Sequence, residues 1–586
     1  MKKDKIIKLE EKYTKIKEDN NIIKTKISYL RLLLFFILVA TLIVFFIYYK
    51  YTVVFPIIVL GLFIYVSIIH QKYFKIVDNA SFKLTVLKNY ENRFDDTFKK
   101  NADSGLDLKT EAYFETDLDI FGKSSLFSYL SFAKTPYGRC FLAEALRGNE
   151  INEESLLKRK EAIKELTQDF EKTLDIEAEA FKFSGINNSK KLSTLENAFN
   201  LISNSISFDS KKLFANFLMV AVLIVSIVLA AIGKISVYSP LAILVINYFL
   251  SKLLYANIAP VSTAMSTINN IFYGYNYLLE SISNKNFESE LLKNYQEDVK
   301  RLNSSSIKSF NLISNMLASR NNIIFAFIFN GICMFDGIIL FCYQKWQAKY
   351  ENDFKNAIIG IGHFEELISL STIGIVKDTA VDAKISNNFK FESIKHPLIQ
   401  EDKCVANSFE FVGTNIITGS NMSGKTTFMR SIGVNYLLFL SGSMVNAEAF
   451  EAPICKLFTS MKVVDDVNNN ISTFYGEILR VKEICSYIKE NKPMIVLIDE
   501  IFKGTNTKDR LTGAEAVTKK LLNSNALAII TTHDSELCSI VGVNNYYFLE
   551  HYQNNQIAFD YTIRHGISNT RNAIYLLKMA GVIDEE

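Results

Sequence analysis

The stretch that most restricts the fold of this chain is NIITGSNMSGKTT, residues 415–427. An apolar run over residues 411–418 breaks at Gly419, passes through Ser420, Asn421, Met422 and Ser423, and resumes at Gly424, Lys425, Thr426 and Thr427. The pattern G-x-x-x-x-G-K-[ST] asks for a strand, a tight turn and a helix in that order. Its glycines let successive backbone N–H groups converge on one concavity, where helix amides and the helix dipole favour an anion. Lys425 is then placed to reach the β- and γ-phosphates of ATP, and the Thr426 hydroxyl to ligate Mg²⁺. A plain glycine turn is the competing reading, and the strand-loop-helix context argues against it.

The partners that such a loop needs lie downstream. Residues 494–498, MIVLI, form a charge-free run entered through Pro493 and closed by Asp499 and Glu500. That is the pattern of a central parallel strand with acids at its carboxyl end. Asp499 is predicted to hold the Mg²⁺ shell, and Glu500 to polarise an attacking water. A second apolar run, residues 526–530, ends in Thr531-Thr532-His533. A histidine after a strand is more often structural, but beside the other motifs His533 reads as a sensor or hydrogen-bond donor at the γ-phosphate.

Further apolar runs set a second constraint. Residues 32–49 and 53–69 carry no charge and are separated only by Lys50, Tyr51 and Thr52. Each approaches the ~20 residues that span a bilayer. Tyr48, Tyr49 and Tyr51 fall where an interfacial aromatic belt belongs. A second pair, residues 213–233 and 235–255, repeats the arrangement around Lys234, with Pro240, Asn247 and Lys252 interrupting its second member. Both pairs read as transmembrane helical hairpins, against the alternative of buried soluble ones. A fifth run, residues 323–343, contains Asn330 and Asp336. A charge at mid-span is costly in lipid, so this run is assigned to a buried core helix. Lys and Arg cluster before residue 32, after residue 69 and before residue 213, which places the N-terminus and the phosphate loop in the cytoplasm of a multi-pass inner-membrane protein. Four crossings return the loop to the ATP side; five would strand it outside.

Residues 1–31 hold ten basic and five acidic side chains, with Ile6, Leu9, Tyr13, Ile16, Asn20, Ile23, Ile27 and Leu30 in steps of three and four. This is an a/d heptad seam, and Asn20 at an a position predicts a parallel two-stranded coil and hence a dimer contact. The alternative is a single amphipathic helix lying on the membrane or on the protein's own core. A net charge of +3, from 65 basic and 62 acidic residues, carries no signature of nucleic-acid binding. Seven scattered Cys without a C-x-x-C pair predict reduced thiols rather than disulfides or zinc. A cleavable signal peptide is not expected, because the first apolar run follows a long charge-rich segment and lacks a small-residue cleavage site.

Five ordered segments carry a family resemblance: GSNMSGKTTFMRSIG, DDVNNNISTFYGEI from Asp465, DEIFKGTNTKD from Asp499, TTHDSEL from Thr531, and RHGISNTRNAIYLLKMAG near the end. Together they resemble the ATPase domain of MutS proteins over roughly the last third of the chain. The resemblance implies an ATP hydrolase working as a homodimer with composite sites, in which Ser472 of the STF segment is presented in trans. Asn421 and Met422 match the N-M of the family's loop. Phe502 and Lys503 depart from the usual Gly-Arg, and Cys404 stands where many members stack an aromatic on adenine. Upstream, residues 117–148 with T-x-x-G-R-x-x-L from Thr135, and QKWQAKYENDF at residues 344–354, resemble the MutS core. Helices around residues 263–319 would be its lever arms, whose tips carry a DNA clamp in the family. The second hydrophobic hairpin stands near the start of that excursion, so the membrane is expected to replace or anchor the clamp. The family's mismatch-reading domain, with its aromatic-x-Glu wedge, has no counterpart in the coil and hairpin read at the N-terminus.

The expected architecture is a mainly α, MutS-like core with transmembrane hairpins and a C-terminal α/β P-loop NTPase domain of ABC-like type. Its parts are a basic amphipathic helix at 1–31, a first hairpin at 32–70, core at 71–210, a second hairpin at 211–255, lever and core at 256–385, and the ATPase domain at 386–586. The expected function is a membrane-tethered ATPase clamp acting on DNA in repair or recombination, without mismatch reading. The alternative is a membrane mechanoenzyme or transporter-like ABC-type ATPase that binds no DNA. Leu440-Ser441-Gly442-Ser443 resembles an ABC signature, but it follows the phosphate loop closely, whereas such a signature sits just before the acidic strand.

Overall fold

The computed structural model describes residues 2–48, 54–100, 102–148, 152–186, 191–203, 210–256, 258–302, 304–420, 422–462, 473–502, 506–553 and 556–567. The chain forms two compact units. One comprises Met1–Phe132, Phe141–Leu174 and Glu366–Glu586, the other Ala133–Cys140 and Asp175–Glu365.

The first unit begins with two long helices, α1 (Lys2–Tyr48) and α2 (Val54–Phe94). They run antiparallel. Lys3 meets Asp95 at 2.9 Å, the Lys83 ammonium donates to the Tyr13 hydroxyl at 3.3 Å, and Arg31 lies 3.3 Å from the His70 ring. Arg31 precedes one charge-free run and His70 follows the other, so the two runs lie opposite each other in register. The expected boundaries at residues 31 and 70 therefore fall inside continuous helices.

The first half of the expected seam is taken up within the chain, as in the alternative reading of a helix on the protein's own core. Ile6, Leu9 and Tyr13 are buried as the seam predicts, but the helix that covers them is α2 of the same chain. Asn20 Nδ2 donates to Ile16 O of its own helix at 2.7 Å. Beyond Asn20, Ile23 and Leu30 face outward, because a 3.6-residue turn drifts off a 3.5-residue seam unless the helices supercoil to follow it.

The second unit is helical. α3 (Ser210–Ala231) and α4 (Ser239–Leu254) are joined by residues 232–238. The long lever helices expected over residues 263–319 are instead three: Ile258–Ser283, Glu290–Arg301 and α5 (Ser304–Arg320). The first break is built in, since Gln296 Nε2 donates to Ile282 O at 2.8 Å and Lys285 O at 2.6 Å, satisfying carbonyls left over at the helix end.

Two more helices follow, α6 (Ile323–Cys333) and α7 (Phe335–Val376). They correct the single buried helix expected over residues 323–343. Met334, with φ +48°, separates them in a left-handed turn. Asp336 N donates to Asn330 Oδ1 at 2.9 Å across the break, and Arg320 donates to both Asp336 carboxylate oxygens, at 2.8 and 3.2 Å. The polar pair that argued for one core helix is what closes the turn between two. The T-x-x-G-R segment docks on α7: the buried Glu365 carboxylate accepts from Lys134 N at 2.9 Å and Thr135 N at 3.0 Å. A Cβ on Gly138 would lie 2.3 Å from Glu365 Oε2, so only glycine fits there.

Back in the first unit, the strand expected from the phosphate-loop pattern is β1 (Thr414–Thr418), followed by α8 (Lys425–Leu440). β2 (Lys456–Ser460), α9 (Thr473–Ile488), β3 (Met494–Asp499), α10 (Thr507–Leu522), β4 (Ala526–Thr532), β5 (Asn544–Gln553) and β6 (Gln556–His565) follow, and short strands within residues 380–452 form a four-stranded and a two-stranded sheet besides. The six-stranded sheet has the order β6-β5-β1-β4-β3-β2. All neighbours are parallel except β5 and β6. β1 and β3 are buried at every position, as parallel strands covered on both faces must be.

Among the described residues, four helices are long and apolar enough to cross a membrane: Lys2–Ile47, Val54–Phe94, Phe214–Ala231 and Phe335–Val376. The last has 89% of its apolar window buried, as a core helix should, while Ser239–Leu254 is apolar but shorter.

The α1–α2 pairing predicts that a short bismaleimide will join a Tyr13→Cys, Lys83→Cys double variant within one chain. The product should be a faster-migrating monomer band on a denaturing gel, absent from either single variant. A cross-linked dimer in its place would restore the intermolecular coil.

Candidate nucleotide site

The parallel register brings the carboxyl ends of β1, β3 and β4 to one edge, with Thr531 paired to Asp499 and Thr532 to Thr418. From that edge the loop after β1 turns through Gly419 (φ +150°), Met422 (φ +73°) and Gly424 (φ +103°) into α8. Gly424 is the N-cap of α8 and has no side chain to fill the concavity. A Cβ on Gly419 would come within 2.9 Å of Ser423 Oγ and 3.1 Å of Phe548 O.

The loop has the donors that a phosphate needs. Lys425, nearly buried, folds back so that Nζ donates to Gly419 O and Ser420 O, each at 2.7 Å. Among the described residues Ser420 Oγ is buried without a protein partner. Thr427 lines the same hollow, and Met422 stands at its rim, 83% exposed. Asn421 lies outside the described residues.

Asp499 is the point of convergence. Thr426 Oγ1 donates to Asp499 Oδ2 at 2.6 Å, and the Thr531 hydroxyl donates to Oδ1. Hard oxygens from the loop and from the acidic strand are thus already in contact, the donor set a Mg²⁺ ion selects. Next along, Glu500 adopts φ +49°, with its backbone N–H donating to Thr531 O at 3.1 Å. This turns its carboxylate to His533, whose Nε2 lies 3.0 Å from Glu500 Oε1. Thr426 thus meets Asp499, Glu500 meets His533, and Lys425, Thr426 and Glu500 line one cavity. Ser472 lies outside the described residues.

A cavity of about 440 Å³ opens from the loop. Ile394, Ile399, Cys404 and Val405 line it together with Lys425, Thr426, Glu500 and Tyr561. Cys404 is on the wall as expected, its thiol pushed up by burial. Two aromatics line it, Phe428 on α8 and Tyr561 on β6, and the motif reading missed Tyr561. Its Cδ1 would lie 3.0 Å from a Cβ on Gly424, and Asn407 Nδ2 holds its carbonyl at 2.9 Å. No local pattern marks Tyr561; only the return of the last hairpin brings it over the loop.

Two further sets of residues escaped the sequence reading. Arg510 on α10 donates to both carboxylate oxygens of Asp534, at 2.9 and 3.0 Å, which fixes the residue after His533. Asp117, fully buried, accepts from Thr459, from the backbone of Met461 and Lys462, and from Arg480 on α9 at 3.0 Å. Asp119 beside it pairs with Lys462 at 2.8 Å and with Arg430 on α8 at 3.0 Å.

The departures from the motifs also find physical reasons. Phe502 holds φ +60°, a conformation that glycine adopts freely, and its ring is buried where a Cβ on Gly513 would lie 2.8 Å away. The bare Gly513 makes room for the ring. Lys503 lies outside the described residues. The ABC-like tetrapeptide is interior: Ser441 Oγ donates to Leu438 O and Ser443 Oγ to Leu370 O, each at 2.7 Å, and both residues are buried. It is not available to a nucleotide.

Residues 415–585 match the family described as MutS domain V. The DNA mismatch repair protein MutS of Haloquadratum walsbyi is 28% identical over 259 residues, covering 42% of this chain and 28% of that protein. That of Wolbachia pipientis wMel is 32% identical over 206 residues, covering 34% of this chain and 24% of that protein. MutS protein homolog 4 of Homo sapiens is 35% identical over 205 residues, covering 32% of this chain and 21% of that protein. The chain thus spans less than a third of the length of the curated relatives it matches.

Between Ile394 and Ile399 of the cavity wall the chain buries a histidine. Burial pushes the His396 imidazole down from 6.5 to about 4, and Leu398 N donates to its Nδ1 at 3.2 Å. Between those pH values the unfolded chain takes up a proton that the folded chain refuses. The stability that rests on neutral His396 is complete above about pH 6.5 and is lost as pH falls through the window to about 4. His396→Gln should flatten that part of the decline in unfolding temperature, measured by thermal melts across the range.

Proposed function

We propose that this chain is a membrane-anchored, Mg²⁺-dependent ATP hydrolase of MutS type that works as a homodimer on DNA. The observation that carries the hydrolase is the meeting of Thr426 and Thr531 on Asp499, beside a Glu500–His533 pair at 3.0 Å. In this reading Lys425 exchanges its bonds to Gly419 and Ser420 carbonyls for phosphate oxygens. Thr426 and Asp499 hold the metal, which when bound offsets charge on the β- and γ-phosphates. Glu500 accepts a proton from the attacking water, and His533 orients the Glu500 carboxylate and donates toward the γ-phosphate. Tyr561, in place of position 404, supplies the aromatic face for the base. Ser472 from the partner completes the site, as the resemblance implies.

The membrane reading rests on where polar residues point. α3 buries Asn216 and Ser226 while Phe214 and Phe217 stand 72% and 69% exposed. α4 buries Asn247 and Ser251 and turns Leu241, Phe249 and Leu253 outward. Water would reverse this pattern; hydrocarbon favours it. In α1 and α2 the exposed faces of the charge-free runs are likewise apolar, with Phe46 at 73% and Ile57 at 64%. Four crossings keep the N-terminus and the nucleotide site on the cytoplasmic side of the inner membrane. In this reading the membrane replaces or anchors the clamp at the α3–α4 hairpin, which is joined by residues 232–238. DNA as the substrate is supported by the relatives, which are DNA mismatch repair proteins.

Lys425→Ala should abolish ATP binding, measured by calorimetry on the detergent-solubilised protein; unchanged affinity would remove the phosphate-loop assignment. Glu500→Gln should retain binding and lose hydrolysis by about 100-fold or more, the usual scale of general-base removal. With ATP, that variant should also bind duplex or branched DNA with an affinity that falls steeply as salt rises. Absence of DNA binding at physiological salt would leave an ATPase whose work is done on the membrane itself.

A further inference from the structure

The functional reading leaves α6 unused. This helix presents Ala326, Asn330 and Gly331 to the protein, all buried. It turns Ile323, Ile324, Phe327, Ile328 and Ile332 outward, with Ile323 83% and Ile324 72% exposed. A helix on a water-washed surface places its large apolar side chains inward. The inward face is closely fitted: a Cβ on Gly331 would lie 2.6 Å from Leu244 Cδ2 and 2.9 Å from Leu244 O, so the backbone of α6 lies directly on α4. Small residues at such a crossing are the means by which helices pack in hydrocarbon.

Polar groups around the helix close on one another. Ser251 Oγ donates to Asn330 Oδ1 at 2.8 Å, and Asn247 Nδ2 donates to Gly331 O at 2.9 Å. Asn216 Nδ2 donates to Met334 O at 3.3 Å. Side chains of α3 and α4 thus satisfy carbonyls freed by the left-handed turn, as a broken helix at membrane depth requires. Arg320, just before α6, and the fully buried Asp336, just after it, are joined through two hydrogen bonds. The residues that flank the helix are therefore tied to each other. α5 meets α6 at a bend of 110°, so one can lie along a surface while the other descends from it.

We propose that α6 is a third lipid-facing element of this unit, set to partial depth beside the α3–α4 hairpin with its outer face against acyl chains. Its 11 residues, at 1.5 Å each, reach about 16 Å, half of a hydrocarbon core of roughly 30 Å. It enters and leaves on the same side, so the number of crossings stays at four. This inference rests on the membrane reading of α3 and α4, and its test separates the two.

Trp346 is the sole tryptophan, and Trp346→Phe gives a silent background. In that background, Ile328→Trp and Ile324→Trp report on α6 and Phe217→Trp on α3. The full chain is reconstituted into phosphatidylcholine vesicles with bromine on the acyl chains. The expected result is loss of most fluorescence from Phe217→Trp and from at least one α6 variant, relative to unbrominated vesicles. Quenching of Phe217→Trp with both α6 variants unaffected would overturn the α6 proposal and leave the hairpin standing. No quenching at any of the three would overturn the membrane reading and the α6 proposal with it.

Discussion

The Asp499 carboxylate sits at the end of β3 with one oxygen bound to the Thr426 hydroxyl and the other to that of Thr531. Neither threonine is near it in sequence. What makes the contact possible is the parallel register, which aligns Asp499 with Thr531 and Thr418 with Thr532, so that three strands end at one level. Every other feature of the site depends on that alignment: the loop that follows β1, the turn at Glu500 and the placement of His533 after β4. A carboxylate gripped from both sides is also pre-positioned, so that binding a cation there requires exchange of two hydrogen bonds rather than movement of a strand.

Around this edge, a second set of charges fastens the segment at residues 113–120 to the nucleotide domain. Asp117 holds Arg480 on α9, and Asp119 holds Arg430 on α8. α8 starts at the phosphate loop, and α9 starts at Thr473, directly after Ser472. One short segment therefore grips both α8 and α9. A buried charge pair of this kind is weak as a source of net stability, but losing either partner strands a charge, so the arrangement fixes geometry strongly.

The apolar helices reverse the usual distribution of polarity. In α3, α4 and α6, asparagine, serine and small residues face inward while isoleucine, phenylalanine and leucine face out. The α1–α2 pair combines both regimes, with salt bridges and a buried seam near its charged ends and apolar faces along the charge-free runs. The heptad seam read over residues 1–31 is covered within the chain at Ile6, Leu9 and Tyr13: periodicity reports that a helix has a partner, and the identity of the partner is a tertiary fact.

Local chemistry settled much of this protein in advance. The strand, glycine turn and helix around Gly419 and Lys425, the acids closing β3 and the histidine after β4 follow from residue order, because each needs only backbone geometry and neighbours close in the chain. The charge-free runs likewise announced their own helices. Only the tertiary structure decided that Tyr561 walls the cavity, that Asp117 holds Arg480, and that residues 323–343 break at Met334. Those depend on contacts between segments far apart in the chain, where hydrogen bonds and close packing have no periodic trace. Asn330 and Asp336 show the difference most plainly. As composition they argued for a buried helix; in place, they are the pair that ends one.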